Sequence, residues 1–250
     1  MIPLRDSNPT RTFPVITVAL IAVNVVAFIV DHATASMQVV DVLTPYGIVR
    51  THRLVGGLAS VYSMVPAELT SDFASAWYTI FTSMFLHANW LHIGGNMLYL
   101  WIFGNNVEDT LGHLGFLVFY LVCGTAAALT HVATGPGSEV PTIGASGAVA
   151  GVMGAYVVFF PHARVLALVP VMFFSTLMEV PAVLVIGFWA LIQFVNVSWL
   201  GGGELRGGGV AYAAHAGGFV AGLIIVLLLG GQRLVWRARR GSHRYIDWYE

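Results

Sequence analysis

The sequence predicts an all-α polytopic membrane protein of six transmembrane helices with an amphipathic first outer loop. Two observations carry this. Charged residues are 9% of the 250 and apolar residues 57%, whereas soluble domains carry about 25% charge. Apolar stretches near the roughly 20 residues a bilayer crossing needs recur six times, at about 14–31, 90–107, 114–132, 144–160, 181–199 and 210–230. A seventh candidate, Val165 to Met178, is shorter and carries Pro170 in its middle, so it fits an interfacial or re-entrant segment better.

Orientation follows from arginine, because the chain has no lysine. With both ends on the inner side, that side receives Arg5, Arg11, Arg164, Arg233, Arg237, Arg239, Arg240 and Arg244, against Arg50, Arg53 and Arg206 outside. The positive-inside rule therefore places both termini in the cytoplasm. The expected organisation is an inner segment over 1–13, a six-span membrane domain over 14–231 and an arginine-rich inner tail over 232–250. The segment 32–86 mixes apolar and polar residues and is expected to form short amphipathic helices at the outer interface. The glycine-rich run 201–209 reads as a flexible outer connection.

Several function classes are disfavoured. A net charge of -1 gives no electrostatic pull toward nucleic acid. A single cysteine, Cys123, allows no intrachain disulfide and suggests no thiolate metal site. There is no H-E-x-x-H pattern, no pair of intramembrane aspartates and no phosphate-binding glycine loop. Neither a metal nor a cofactor is expected.

Polar residues inside spans are where function is sought. Ser146 begins the fourth span within "TIGASGAVAG", His215 lies near the beginning of the sixth, and His92 and Asn96 share one face of the second. The second, fourth and sixth spans run in the same direction. Ser146, His215 and His92 therefore fall in one layer, roughly 5 to 10 Å below the outer surface at 1.5 Å per residue. Gly147 and Gly151 on the fourth span and Gly218 and Gly222 on the sixth form two small-xxx-small patterns that let backbones approach. A lone serine before such a pattern is commonly a packing residue. One serine and one histidine at matched depth, each beside a close-packing pattern, point instead to a nucleophile and its base. No carboxylate lies inside the spans as a third member, so a Ser-His dyad is expected. The backbone N–H groups at the start of the fourth helix, with His92 and Asn96, would hold the oxyanion.

"GASGAVAG" around Ser146, "HANWLHIGGN" from His87 to Asn96 and "AHAGGFVAG" around His215 together resemble the rhomboid family of intramembrane serine proteases. The motifs occur in the family's order, and the resemblance covers about 75 to 230. It implies Ser146 as nucleophile and His215 as general base, with His92, Asn96 and the Ser146 amide as the oxyanion site. It also implies Gly144 as the first glycine of a GxSG element, Gly218 and Gly222 as packing glycines, and a structural role for His87. The implied substrates are membrane proteins whose transmembrane helix can unwind near its outer end, beside a small residue. The lipid bilayer is the other partner.

Two departures stand out. The first-loop arginine that many relatives carry is absent from "WYTIFTSMFLH". A tyrosine one turn after the nucleophile, present in some relatives, is here Ala150, so another residue must orient His215. The rival reading is a non-catalytic rhomboid-like binder of membrane helices, or a transporter. Arginine without lysine suggests a bacterial plasma membrane as the location.

Overall fold

The computed structural model describes residues 2–44, 47–171, 174–200 and 211–239. The expected connection at 201–209 and the tail beyond 239 lie outside these residues. In chain order the elements are β1 (Ile2–Asp6), α1 (Val15–Thr34), β2 (Ala35–Thr44) and β3 (Gly47–Gly56). Four short helices follow: α2 (Ala59–Tyr62), α3 (Pro66–Ser71), α4 (Phe73–Ala76) and α5 (Thr79–Thr82). After a 3-10 turn (Ser83–Phe85) come α6 (Trp90–Leu111), α7 (His113–Thr134), α8 (Ser146–Phe159), β4 (Arg164–Val171), β5 (Phe174–Pro181), α9 (Ala182–Leu200), α10 (Tyr212–Leu228) and α11 (Gln232–Arg239).

All six apolar stretches are helical. Among the described residues α1 and α7 are long and apolar enough to cross a membrane unaided, and α10 with α11 forms a pair bent by 63° that passes the same criterion together. Helix α8 is only 14 residues, about 21 Å long. Its residues Gly147 to Tyr156 are all buried, so it is the central helix around which the others pack.

The fold is mostly helical, as expected, but the all-α expectation is corrected in one respect: the described residues include five strands. β4 and β5 pair antiparallel from Arg164↔Pro181 to Val171↔Phe174. β1 adds to the free side of β4, from Ile2↔Leu168 to Asp6↔Val165. The stretch Val165 to Met178, expected as interfacial or re-entrant, is thus most of a hairpin. Its valines suit a strand, and pairing with β1 stops at Leu168, so Pro170 lies where its missing N–H costs no second ladder bond.

The segment 32–86 also differs from expectation. Its first half is a hairpin of β2 and β3, running from Ala35↔Gly56 to Thr44↔Gly47; both strands are rich in Val, Ile and Thr, which favour strands. Its second half is a run of four short helices, α2 to α5. Met64, Leu69, Ala76, Ile80 and Met84 from this run pack with Ala128 of α7 in a second apolar cluster. Backbone hydrogen bonds fasten the loop to the segment before α8. Met64 N–H donates to the Thr142 carbonyl at 3.1 Å, Thr142 N–H donates to the Met64 carbonyl at 2.7 Å, and Ala67 N–H donates to the Ser138 carbonyl at 3.0 Å.

At the other end of the bundle, α1 starts after Pro14 with no side-chain cap and no acid in its first turn. Glu108 of α6 supplies that cap across space. Its carboxylate accepts the Ile16 and Thr17 N–H groups, each at 2.8 Å, and the Thr17 hydroxyl at 2.7 Å. Beside it Asp109 accepts from Arg11 Nε at 2.9 Å and from the Thr12 hydroxyl at 2.9 Å. Two of α1's orphan donors are satisfied in this way.

Candidate active site

Helices α8 and α10 approach so closely that only glycine fits at their crossing. A Cβ on Gly218 would run into the Gly147 carbonyl oxygen, and one on Gly222 into the Gly151 carbonyl. The two small-xxx-small patterns therefore meet each other. On the α7 side, Gly151 lies against Cys123, a buried free thiol.

The crossing brings two side chains from the starts of these helices together. Ser146 Oγ lies 2.7 Å from His215 Nε2. Both residues are half-buried, and Ser146 is the first residue of α8. At that distance the hydroxyl can give its proton to the imidazole as its oxygen forms a bond. First-turn N–H groups of a helix have no intrahelical acceptor, so the backbone around Ser146 can stabilise negative charge.

The segment leading into Ser146 is held from several sides. Gly144 has φ +132°, a backbone conformation that L side chains rarely adopt, and donates its N–H to the Ser83 carbonyl at 2.9 Å. A Cβ there would lie 2.8 Å from His92 Nε2, so the absent side chain is what admits His92 beside Ser146. His87 is buried and its Nε2 accepts the Ala145 N–H at 3.4 Å. Its ring stands edge-on to that of His92, with centroids 5.0 Å apart. His131, which the sequence reading did not single out, lies 3.0 Å through Nε2 from the Thr142 hydroxyl.

Asn96 sits one turn beyond His92 on α6, and its amide donates to the His92 carbonyl at 3.0 Å. That hydrogen bond lies within its own helix. Ala150 is fully buried, and the support for His215 comes from elsewhere, on α9. His215 Nδ1 lies 2.8 Å from Gln193 Oε1. The Trp189 ring lies beside the imidazole, centroids 5.7 Å apart at 36°. Neither residue was expected. A glutamine inside an apolar helix was the available signal, because an intramembrane polar residue invites a functional reading.

A family model for the Rhomboid domain matches residues 74–232. The chain belongs to the rhomboid family. Similar proteins include "Rhomboid protein 1, mitochondrial" of Saccharomyces cerevisiae, 34% identical over 62% of this chain. "Presenilin-associated rhomboid-like protein A, mitochondrial" of Danio rerio is 29% identical over 67% of this chain, and "Rhomboid protease GluP" of Bacillus subtilis 32% over 61%. The matches cover 43%, 40% and 30% of those relatives' own lengths, so this rhomboid chain spans less than half of each. The mitochondrial names do not fit the bacterial plasma membrane expected from arginine usage. Membership of a membrane-embedded family that includes proteases agrees with the apolar helices.

Proposed function

We propose that this rhomboid is an intramembrane serine endopeptidase that cuts membrane-protein substrates in or beside their transmembrane helix. The observation that carries the reading is the 2.7 Å approach of Ser146 Oγ to His215 Nε2 at the start of a buried helix. Ser146 Oγ attacks the scissile carbonyl carbon while His215 Nε2 takes the hydroxyl proton. The C–N bond then breaks, and the proton passes from His215 to the leaving amine, which gives an acyl-enzyme on Ser146. A water gives one proton to His215, attacks the ester carbon, and releases the carboxylic acid as Ser146 Oγ recovers its proton.

The oxyanion of each tetrahedral intermediate is held by the Ser146 N–H, with His92 and Asn96 as side-chain donors. Gly144 clears the space for His92, His87 braces the loop at Ala145, and Gly147, Gly151, Gly218 and Gly222 hold nucleophile and base helices together. Asn96 needs only to turn its amide from the His92 carbonyl to contribute.

The membrane arrangement belongs to the same reading. The domain 14–231 crosses six times, with 1–13 and 232–250 on the inner side and Ser146 near the outer face. Helix α9 and the loop of α2 to α5 flank the site, and outward motion of α9 admits the substrate helix. Cysteine crosslinks that pin α9 to its neighbours should block cleavage of a transmembrane substrate; full activity in the crosslinked protein would refute the gate.

Labelling with a serine-directed fluorophosphonate in detergent and in liposomes tests the chemistry. Wild type should label and cut a generic transmembrane substrate, and Ser146→Ala and His215→Ala should do neither. A folded wild type that neither labels nor cuts would leave a non-catalytic binder of membrane helices.

A further inference from the structure

We infer that Gln193 is a positioning residue for the base: it holds the Nδ1 proton of His215, leaves the Nε2 lone pair facing Ser146, and thereby ties catalysis to the seating of α9. This rests on the protease reading above. A neutral imidazole carries one N–H, and either nitrogen can hold it. The orientation of the Gln193 amide decides which. Its Nε2 donates to the Trp189 carbonyl at 3.1 Å, and a carbonyl can only accept, so the amide oxygen must be the atom facing His215. That oxygen is also acceptor-only. The proton therefore sits on Nδ1, and Nε2 is free to receive the serine proton.

Gln193 is 5% exposed, so no water competes freely for its oxygen. Among the described residues, Ser146 of α8 lies at hydrogen-bond distance from the imidazole and the histidines His92 of α6 and His131 of α7 act on it electrostatically, and none of these is an anion. Gln193 and Trp189 both belong to α9, whose opposite side leaves Leu184, Phe188, Leu191 and Val195 exposed. Nucleophile and base ride on two helices locked by glycine contacts, whereas the group that orients the base rides on a third, more loosely covered one. Displacing α9 to admit a substrate takes Gln193 away from His215. Acylation then requires α9 to return, and a substrate that holds it open is bound without being cut.

Two variants test this against fluorophosphonate labelling and steady-state cleavage. Gln193→Met keeps the length but removes the acceptor, and should lower kcat by about 10-fold to 100-fold with KM within twofold. Gln193→Glu keeps the acceptor and adds an anion facing the ring, so activity persists while the acidic limb of the pH profile moves to higher pH. Wild-type kcat in Gln193→Met would overturn the inference, as would a lowered unfolding temperature with kcat intact, or a folded Gln193→Glu with an unmoved acidic limb. Absence of labelling in wild type would instead refute the protease reading itself, and this inference with it.

Discussion

Gly144 is the residue on which the approach of His92 to Ser146 depends. Its φ of +132° and the 2.8 Å separation between a would-be Cβ and His92 Nε2 act together, so Gly144→Ala strains the backbone and pushes His92 aside. The strain is about 1–3 kcal/mol. The fluorophosphonate labelling rate should drop at least tenfold with a modest fall in unfolding temperature; an unchanged rate would show that His92 need not stand there. The proximity of Ser146 and His215 was legible because separate short motifs single out each of them near the start of its helix. Gln193 was not. It has no fixed spacing from His215, and a glutamine in one apolar helix reveals its partner only once α9 and α10 are packed.

At the scale of elements, the crossing of α8 and α10 is the most demanding contact. Gly222 meets the Gly151 backbone rather than a side chain that could swing away. Gly222→Leu should therefore force the helices apart, costing about 1–3 kcal/mol and abolishing labelling although the residue lies two turns from His215. Retained labelling would mean that the dyad tolerates a wider crossing. The cap that Glu108 provides for α1 makes a second, separable prediction. Glu108→Ala strands the Ile16 and Thr17 N–H groups and should cost on the order of 1–3 kcal/mol in detergent unfolding, with the Ser146 to His215 geometry and labelling preserved at low temperature. Helices were readable from apolar stretches of sufficient length. The strands were not, because a short apolar run such as Val165 to Val171 reads equally as buried helix or strand. The short stretch Ile2–Asp6, with Pro3 inside it, becomes a strand only because β4 offers it an edge.

On the scale of the whole molecule, Asp6 joins the N-terminal strand to the end of the bundle remote from Ser146. Its Oδ2 accepts the Tyr156 hydroxyl of α8 at 2.6 Å and the Asn106 amide of α6 at 2.9 Å, and Tyr156 in turn accepts from Asn8 at 2.8 Å. Burial pushes the Asp6 carboxyl up to about 7, opposed by its hydrogen bonds from Tyr156 and Asn8. An unfolded chain ionises this group near pH 4. Between about pH 4 and 7 the native protein thus keeps a proton that the unfolded chain has lost. Stability from this group is greatest below that window, falls as pH rises through it, and is level above. Asp6→Asn keeps an acceptor but cannot ionise. The difference in unfolding temperature between wild type and Asp6→Asn should therefore vary across pH 4 to 7, with wild type losing ground as pH rises; parallel curves would refute the assignment. Tyr156 lies ten residues beyond Ser146, about 15 Å along α8. The pH dependence of labelling should accordingly be the same in Asp6→Asn and wild type at temperatures where both are folded. A shift would mean that the strand-tied end and the Ser146 end of α8 are coupled through the helix.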